Sequence, residues 1–258
     1  MVTIPYTMKE VSKASGKSGL TVAGSFSGCG GSSIGYKLAG FDVRYACEFD
    51  KHAAECYESA FPKTHLDRRS IAEVTGEEII DACGGVPDIW EGSPPCSKFS
   101  TSGKREKGWN QVSKSDQSDQ LVRNVEDLFF EWSRLLNEIR PKAAIAENVA
   151  GMLKGPSRGF AVEVLNRVKA MGYNCKIWKA NAADFGVPQI RRRIFFVCWD
   201  PLRCLEPVAP KITDQVNAER AFAGLHTTVS DHRGKSTDLN DAPIIPRESA
   251  LILSLIHI

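Results

Sequence analysis

What this 258-residue chain lacks narrows its chemistry first. Its eight cysteines fall at irregular spacings, with no C-x-x-C pair and no nearby histidine pair. A structural zinc site is therefore not indicated, nor is any other metal. A disulfide scaffold does not suit a chain of this size either, and reduced thiols in a cytoplasm fit better. No apolar run approaches the roughly 20 residues that a membrane-crossing helix needs, and no charged-then-apolar signal segment opens the chain. An excess of one charge is missing too: 33 basic residues against 31 acidic ones leave a net +2. A surface for a polyanion has to come from local clusters, such as Lys104, Arg105 and Lys107, or Arg191, Arg192 and Arg193. What remains is the composition of an ordinary globular protein, 42% hydrophobic and 25% charged, of a length for one large domain.

One further absence concerns glycine spacing. An apolar run over 20–26 leads into Ser27-Gly28-Cys29-Gly30-Gly31-Ser32-Ser33, then a helical pattern through Ile34, Leu38 and Ala39, stopped by Gly40. Strand, glycine-rich turn and helix in that order let backbone approach a cofactor in a doubly wound α/β fold. The G-x-G-x-x-G of a dinucleotide site is not there, so the turn points to a different nucleoside. A second strand pattern over 43–48 ends in Glu48, placed to hydrogen-bond both hydroxyls of a ribose. Phe49 follows, free to lie against an adenine, and Asp50 suffices to cap a helix starting near Lys51.

The chain is organised around 92–100. A short helix is expected near 77–83, and after it a short apolar run, Val86 to Trp90, is closed by Gly92. Ser93-Pro94-Pro95-Cys96-Ser97-Lys98-Phe99-Ser100 follows. Two prolines stiffen the backbone just before a cysteine and present it on a turn. A thiol so placed is a candidate nucleophile, although most cysteines are inert and buried. The polar stretch over 101–120 is too long for an ordinary connection and reads as a disordered or working loop. An amphipathic helix is expected over 121–139, a buried strand over 143–149 ending in Glu147 and Asn148, a helix over 160–171, and strands over 174–180 and 194–199. Between the last two lie Gln189, Arg191 and Arg193, with Arg192 between the arginines. Beyond residue 200 the periodicity dissolves, and the last eight residues are abruptly apolar. The expected organisation is a flexible lead-in over 1–19, a catalytic domain over 20–200, and a linker or incomplete target-recognition region over 201–258, its end suggesting a truncated or chimeric frame.

These pieces, in this order, resemble the C5-cytosine methyltransferase family over roughly 20–199. Phe26-Ser27-Gly28-Cys29-Gly30-Gly31 is similar to its first motif, Ser93-Pro94-Pro95-Cys96 to the nucleophile motif, Glu147-Asn148-Val149 to the acid motif, and Gln189-x-Arg191-x-Arg193 to the arginine motif. The resemblance implies a Rossmann-like fold binding S-adenosylmethionine through Phe26, Ser27, Gly28, Gly30, Gly31, Glu48, Phe49, Ser70, Ile71 and Pro94. It implies catalysis by Cys96, Glu147, Arg191 and Arg193, with Ser100, Asn148 and Gln189 serving the loop and the substrate. Ser70 stands where the family often has an acid for the adenine amino group, and no closing motifs are recognisable after Trp199. The substrate expected is a cytosine flipped from double-stranded DNA. A tRNA cytosine and an inactive cofactor-binding fragment are the alternatives. A bacterial or phage cytoplasmic monomer, with a cognate restriction endonuclease acting on the same site, is the expected setting.

Overall fold

The computed structural model describes residues 6–95, 125–155 and 157–216. A seven-stranded sheet runs through it in the order β3-β2-β1-β4-β5-β7-β6. Its strands are β1 (Thr21–Ser25), β2 (Asp42–Cys47), β3 (His65–Asp67), β4 (Ile89–Gly92), β5 (Ala143–Val149), β6 (Asn174–Asn181) and β7 (Arg192–Trp199). Strands β1 to β5 pair parallel, whereas β7 is antiparallel to both β5 and β6. Helices α1 (Met8–Ala14), α2 (Gly31–Leu38), α3 (Lys51–Ala60), α4 (Gly76–Cys83), α5 (Val125–Ile139) and α6 (Ser157–Ala170) complete the order.

Alternation along each strand sends successive side chains to opposite faces, and both faces are covered. Ala23, Tyr45, Trp90, Ala144, Ala146 and Phe196 pack under α4, α5 and α6. On the other face Val22 and Val43 meet Tyr36 of α2, and Ala46 meets Tyr57 of α3 and Val11 of α1. The doubly wound arrangement expected from the sequence is therefore observed. Helix α5 is tied to the sheet by the Trp90 indole, whose Nε1–H donates to the Trp132 carbonyl at 3.2 Å.

Two elements depart from the expectation. The stretch expected as part of a flexible lead-in contains α1, which Thr7 and Glu10 close with a reciprocal capping box. Ser15 and Ser18 then bond to the carbonyls of Phe41 and Gly40, docking the segment on the α2–β2 turn. Strand β3 has no counterpart in the expectation, because three residues carry no periodicity; only its pairing with β2 makes it a strand. No described helix is long and apolar enough to cross a membrane.

Candidate active site

The chain order reverses direction at β1. From β1 it proceeds outward through β2 to β3, then returns to β4 on the other side. Ligands in such sheets bind at the carboxyl ends of the strands flanking this switch point. Here those ends carry the glycine-rich turn after β1 and the Ser93-Pro94-Pro95 segment after β4. The two are joined directly: Ser93 Oγ donates to the Phe26 carbonyl at 3.2 Å.

The turn is shaped by left-handed backbone. Phe26 (φ 53°), Gly28 (φ 53°) and Gly30 (φ 92°) all have positive φ, and the non-glycine Phe26 there marks a strained position. Gly31 opens α2. A Cβ on Gly30 would lie 2.3 Å from the Phe61 ring. Gly30→Ala therefore combines left-handed strain with a clash, and we expect a loss on the order of 3 kcal/mol. Urea unfolding measures it; a loss under about 1 kcal/mol would mean that the Phe61 ring swings aside freely.

At the end of β2 the Glu48 carboxylate accepts from the Gly28 N–H at 2.8 Å and the Asp50 N–H at 2.9 Å. It thus ties the glycine turn to the start of α3, while each oxygen keeps a second lone pair for a ligand. Asp50 caps α3 through the Ala53 N–H. Phe49 is 69% exposed. The buried Ser27 hydroxyl has no partner among the described residues. Ser70 caps a 3-10 turn over Ile71–Glu73 rather than standing free, and the Ile71 side chain is packed in the core. The Ile71 carbonyl accepts from Arg134 at 3.2 Å.

Glu147 and Arg193 lie far apart in the chain, but β7 is antiparallel to β5 and pairs Arg193 with Val149. The Arg193 Nε consequently comes within 2.8 Å of the Glu147 carboxylate. Burial pushes the Glu147 carboxyl up, against the pull of Arg193 and Arg191. Burial and the Arg193 charge together lower Arg191, whose buried Nε has no partner among the described residues. Asn148 donates from Nδ2 to the Pro94 carbonyl at 3.2 Å, and Pro94 is buried beside it. Gln189 is exposed, next to an Ile190 that is 78% exposed. Cys96 and Ser100 lie outside the described residues, and Pro95 is the last described residue before them.

A second buried carboxyl, that of Glu91 on β4, goes beyond the residues expected from the sequence. The available signal was a charged residue inside an otherwise buried strand. Its oxygen accepts from Ser32 Oγ at 2.8 Å. Burial pushes its carboxyl up to about 7, Ser32 counteracts, and the Glu147 charge adds to the rise. In the unfolded chain it ionises near its ordinary value of 4.5. Between those values the folded state holds a proton that the unfolded state releases, so stability falls as pH rises across that window. Glu91→Gln, expected to remove the fall, gains on the order of 3 kcal/mol over the wild type on going from pH 4.5 to pH 8. Urea midpoints at the two pH values test this, and parallel losses in both proteins would refute it.

Among the described residues no group of histidine, cysteine and acidic side chains is arranged to hold a metal. Comparison with known proteins agrees with the geometry. The family model for C-5 cytosine-specific DNA methylases matches residues 20–242. The Type II methyltransferase M.NgoPII of Neisseria gonorrhoeae is 33% identical over 176 residues, covering 67% of this chain and 46% of that protein. M.DdeI of Desulfomicrobium norvegicum is 31% identical over 231 residues, covering 86% and 51% respectively. Among solved structures, a protein provisionally described as a DNA modification methyltransferase from a prophage (E. coli) superposes with a TM-score of 0.67 at 28% identity, covering 85% of this chain and 61% of that one. The Dnmt2 methyltransferase of S. pombe, at 18% identity and a TM-score of 0.53, covers 84% of this chain and 58% of its own and shares the fold. The chain spans about half the length of these curated relatives. With the switch-point turn, the Glu147–Arg193 pair and the family match in agreement, the chain belongs to the C-5 cytosine-specific DNA methylases.

Proposed function

We propose that this chain transfers a methyl group from S-adenosylmethionine to carbon 5 of a cytosine flipped out of duplex DNA, through a covalent adduct on Cys96. The observation that carries the reading is the meeting of Glu147 with Arg193 beside the Pro94 carbonyl held by Asn148. The donor set fits the cofactor: a carboxylate at the end of β2 for a ribose, an exposed aromatic next to it, and a left-handed glycine turn that brings backbone close. When bound, S-adenosylmethionine supplies an electrophilic methyl to carbon 5 and departs as a neutral thioether.

Every other part falls to side chains. Carbon 5 of cytosine is a weak nucleophile until a thiolate adds to carbon 6, and Cys96 supplies that thiolate. Glu147, whose carboxyl is held toward its protonated form by burial, donates to ring N3 as the adduct forms. Arg193, fixed against Glu147, faces the cytosine O2 and offsets the negative charge that develops there. Arg191 supports the same corner or reaches a phosphate. A base then removes the carbon 5 proton, and the Cys96 thiolate leaves as the ring recovers its double bond.

Bisulfite sequencing of DNA from a methylation-free bacterial host expressing this chain tests the reading. Methylated cytosines in one sequence context, absent from the empty-vector host, are the expected result. Methylation of tRNA instead of DNA would reassign the substrate. No methylation of either would refute activity in the chain as it stands. The sequence also suggests a monomer with a cognate restriction endonuclease; both are part of this proposal.

A further inference from the structure

Glu91 stands outside the mechanism just described, yet it sits beneath its centre. It lies on β4 opposite Gly24 of β1 and Ile145 of β5, between the glycine turn and the strand that carries Glu147. The residue is only 4% exposed. Gly24 leaves the room: a Cβ there would be 2.8 Å from Glu91 Oε1. The carboxyl crosses that gap to Ser32, in the first turn of the helix that the glycine turn opens. The polar groups facing it are few. From α2 come Ser32 and Tyr36, from α3 Tyr57, and from β5 Glu147. None is a cation, and no described residue forms an ion pair with Glu91. A buried carboxylate without a counter-ion favours a positive charge brought close to it.

We propose that Glu91 is a positioning residue of the cofactor turn, which braces the first turn of α2 through Ser32 and whose carboxylate favours the sulfonium S-adenosylmethionine over its neutral thioether product S-adenosylhomocysteine. The proposal rests on the cofactor reading given above. The two nucleosides differ at the sulfur by one methyl and one charge, and share their amino, carboxyl, ribose and adenine groups. Interactions that only shape the site therefore cancel in the ratio of their affinities, whereas a nearby charge does not. For a carboxylate and a sulfonium about 10 Å apart at an effective dielectric near 20, Coulomb attraction would correspond to roughly a tenfold preference. Because the carboxyl is neutral below about pH 7 and ionised above it, the preference grows as pH rises.

Isothermal titration of both nucleosides into the wild-type chain and Glu91→Gln, at pH 6 and pH 8.5, is the test. In the wild type the affinity ratio of sulfonium to thioether should rise about five- to tenfold between the two pH values. In Glu91→Gln, which keeps the shape and an acceptor for Ser32, the ratio should be lower and indifferent to pH. Ser32→Ala, which removes the brace but keeps the charge, should weaken both nucleosides equally and retain the pH-dependent ratio. A ratio that is the same in Glu91→Gln and wild type at both pH values would overturn the proposal while leaving the cofactor reading intact. Binding of neither nucleoside to the wild-type chain would overturn both.

Discussion

Cys96→Ser is expected to abolish methyl transfer while leaving S-adenosylmethionine binding nearly intact. A serine hydroxyl is far less acidic than a thiol and far less nucleophilic toward ring carbon 6, so the substitution stops the reaction at its first bond. The approach to residue 96 does not depend on its side chain. Ser93 is pinned to the Phe26 carbonyl, and the Pro94 carbonyl to Asn148, so the backbone ahead of the substitution has its own supports. The glycine turn and Glu48 follow β1 and β2 and are bonded to each other. Incorporation of labelled methyl into duplex DNA, alongside calorimetric titration of the cofactor, reads both halves. Turnover surviving in Cys96→Ser would sink the nucleophile assignment. Simultaneous loss of cofactor binding would show instead that the substitution had damaged the site.

Glu147→Gln is expected to lower kcat by about 10²- to 10⁴-fold, the usual worth of a positioned acid. Glutamine keeps the shape and can still donate through its amide, but it cannot deliver a proton to N3. The pH profile separates this role from a structural one. Glu147 is an acid whose carboxyl burial holds above its ordinary range, so it keeps its proton further up in pH than an exposed glutamate does. The rate of the wild type should therefore fall as pH rises through that raised value, and the residual rate of Glu147→Gln should lack this limb. Removing the carboxylate also leaves the Arg193 guanidinium without the ion pair it makes at 2.8 Å. Glu147→Asp, which restores an acid on a shorter arm, should recover part of the rate if proton donation is the role. A Glu147→Gln enzyme within a few-fold of wild type at every pH would exclude Glu147 as the acid.

Much of the fold was legible because every strand of the parallel half except β3 is a short apolar run bounded by a turn signal, and several helices have a cap or a breaker. Asp50 ahead of α3 is such a signal, local in the sequence and observed as the cap, whereas the Thr75 cap of α4 is a finding of the structure. The lead-in was harder. Its Thr7–Glu10 capping box is present in the sequence, but a helix of seven residues with one buried side chain, Val11, has almost no apolar stripe. It persists through docking on α2 and the turn after it. Ser70 has a local use besides the expected one. A serine three residues before Glu73 is also a capping box, and that local use is the one observed.

The sequence alone determined the order of the motifs, the glycine turn after the first strand, the rigid proline pair ahead of Cys96, and acids at the ends of two strands, because these depend on neighbours within a few residues. Only the tertiary structure decided what those groups meet. The antiparallel entry of β7 between β5 and β6 brings Arg193 to Glu147, and no local pattern states which strand a given strand will pair with. The same holds for Glu91. Read along the chain it is a charge interrupting a buried strand. Paired with Gly24 across the ladder and bonded to Ser32, it becomes a buried carboxyl under the glycine turn, since burial is a property of what packs against a residue and not of the residue itself.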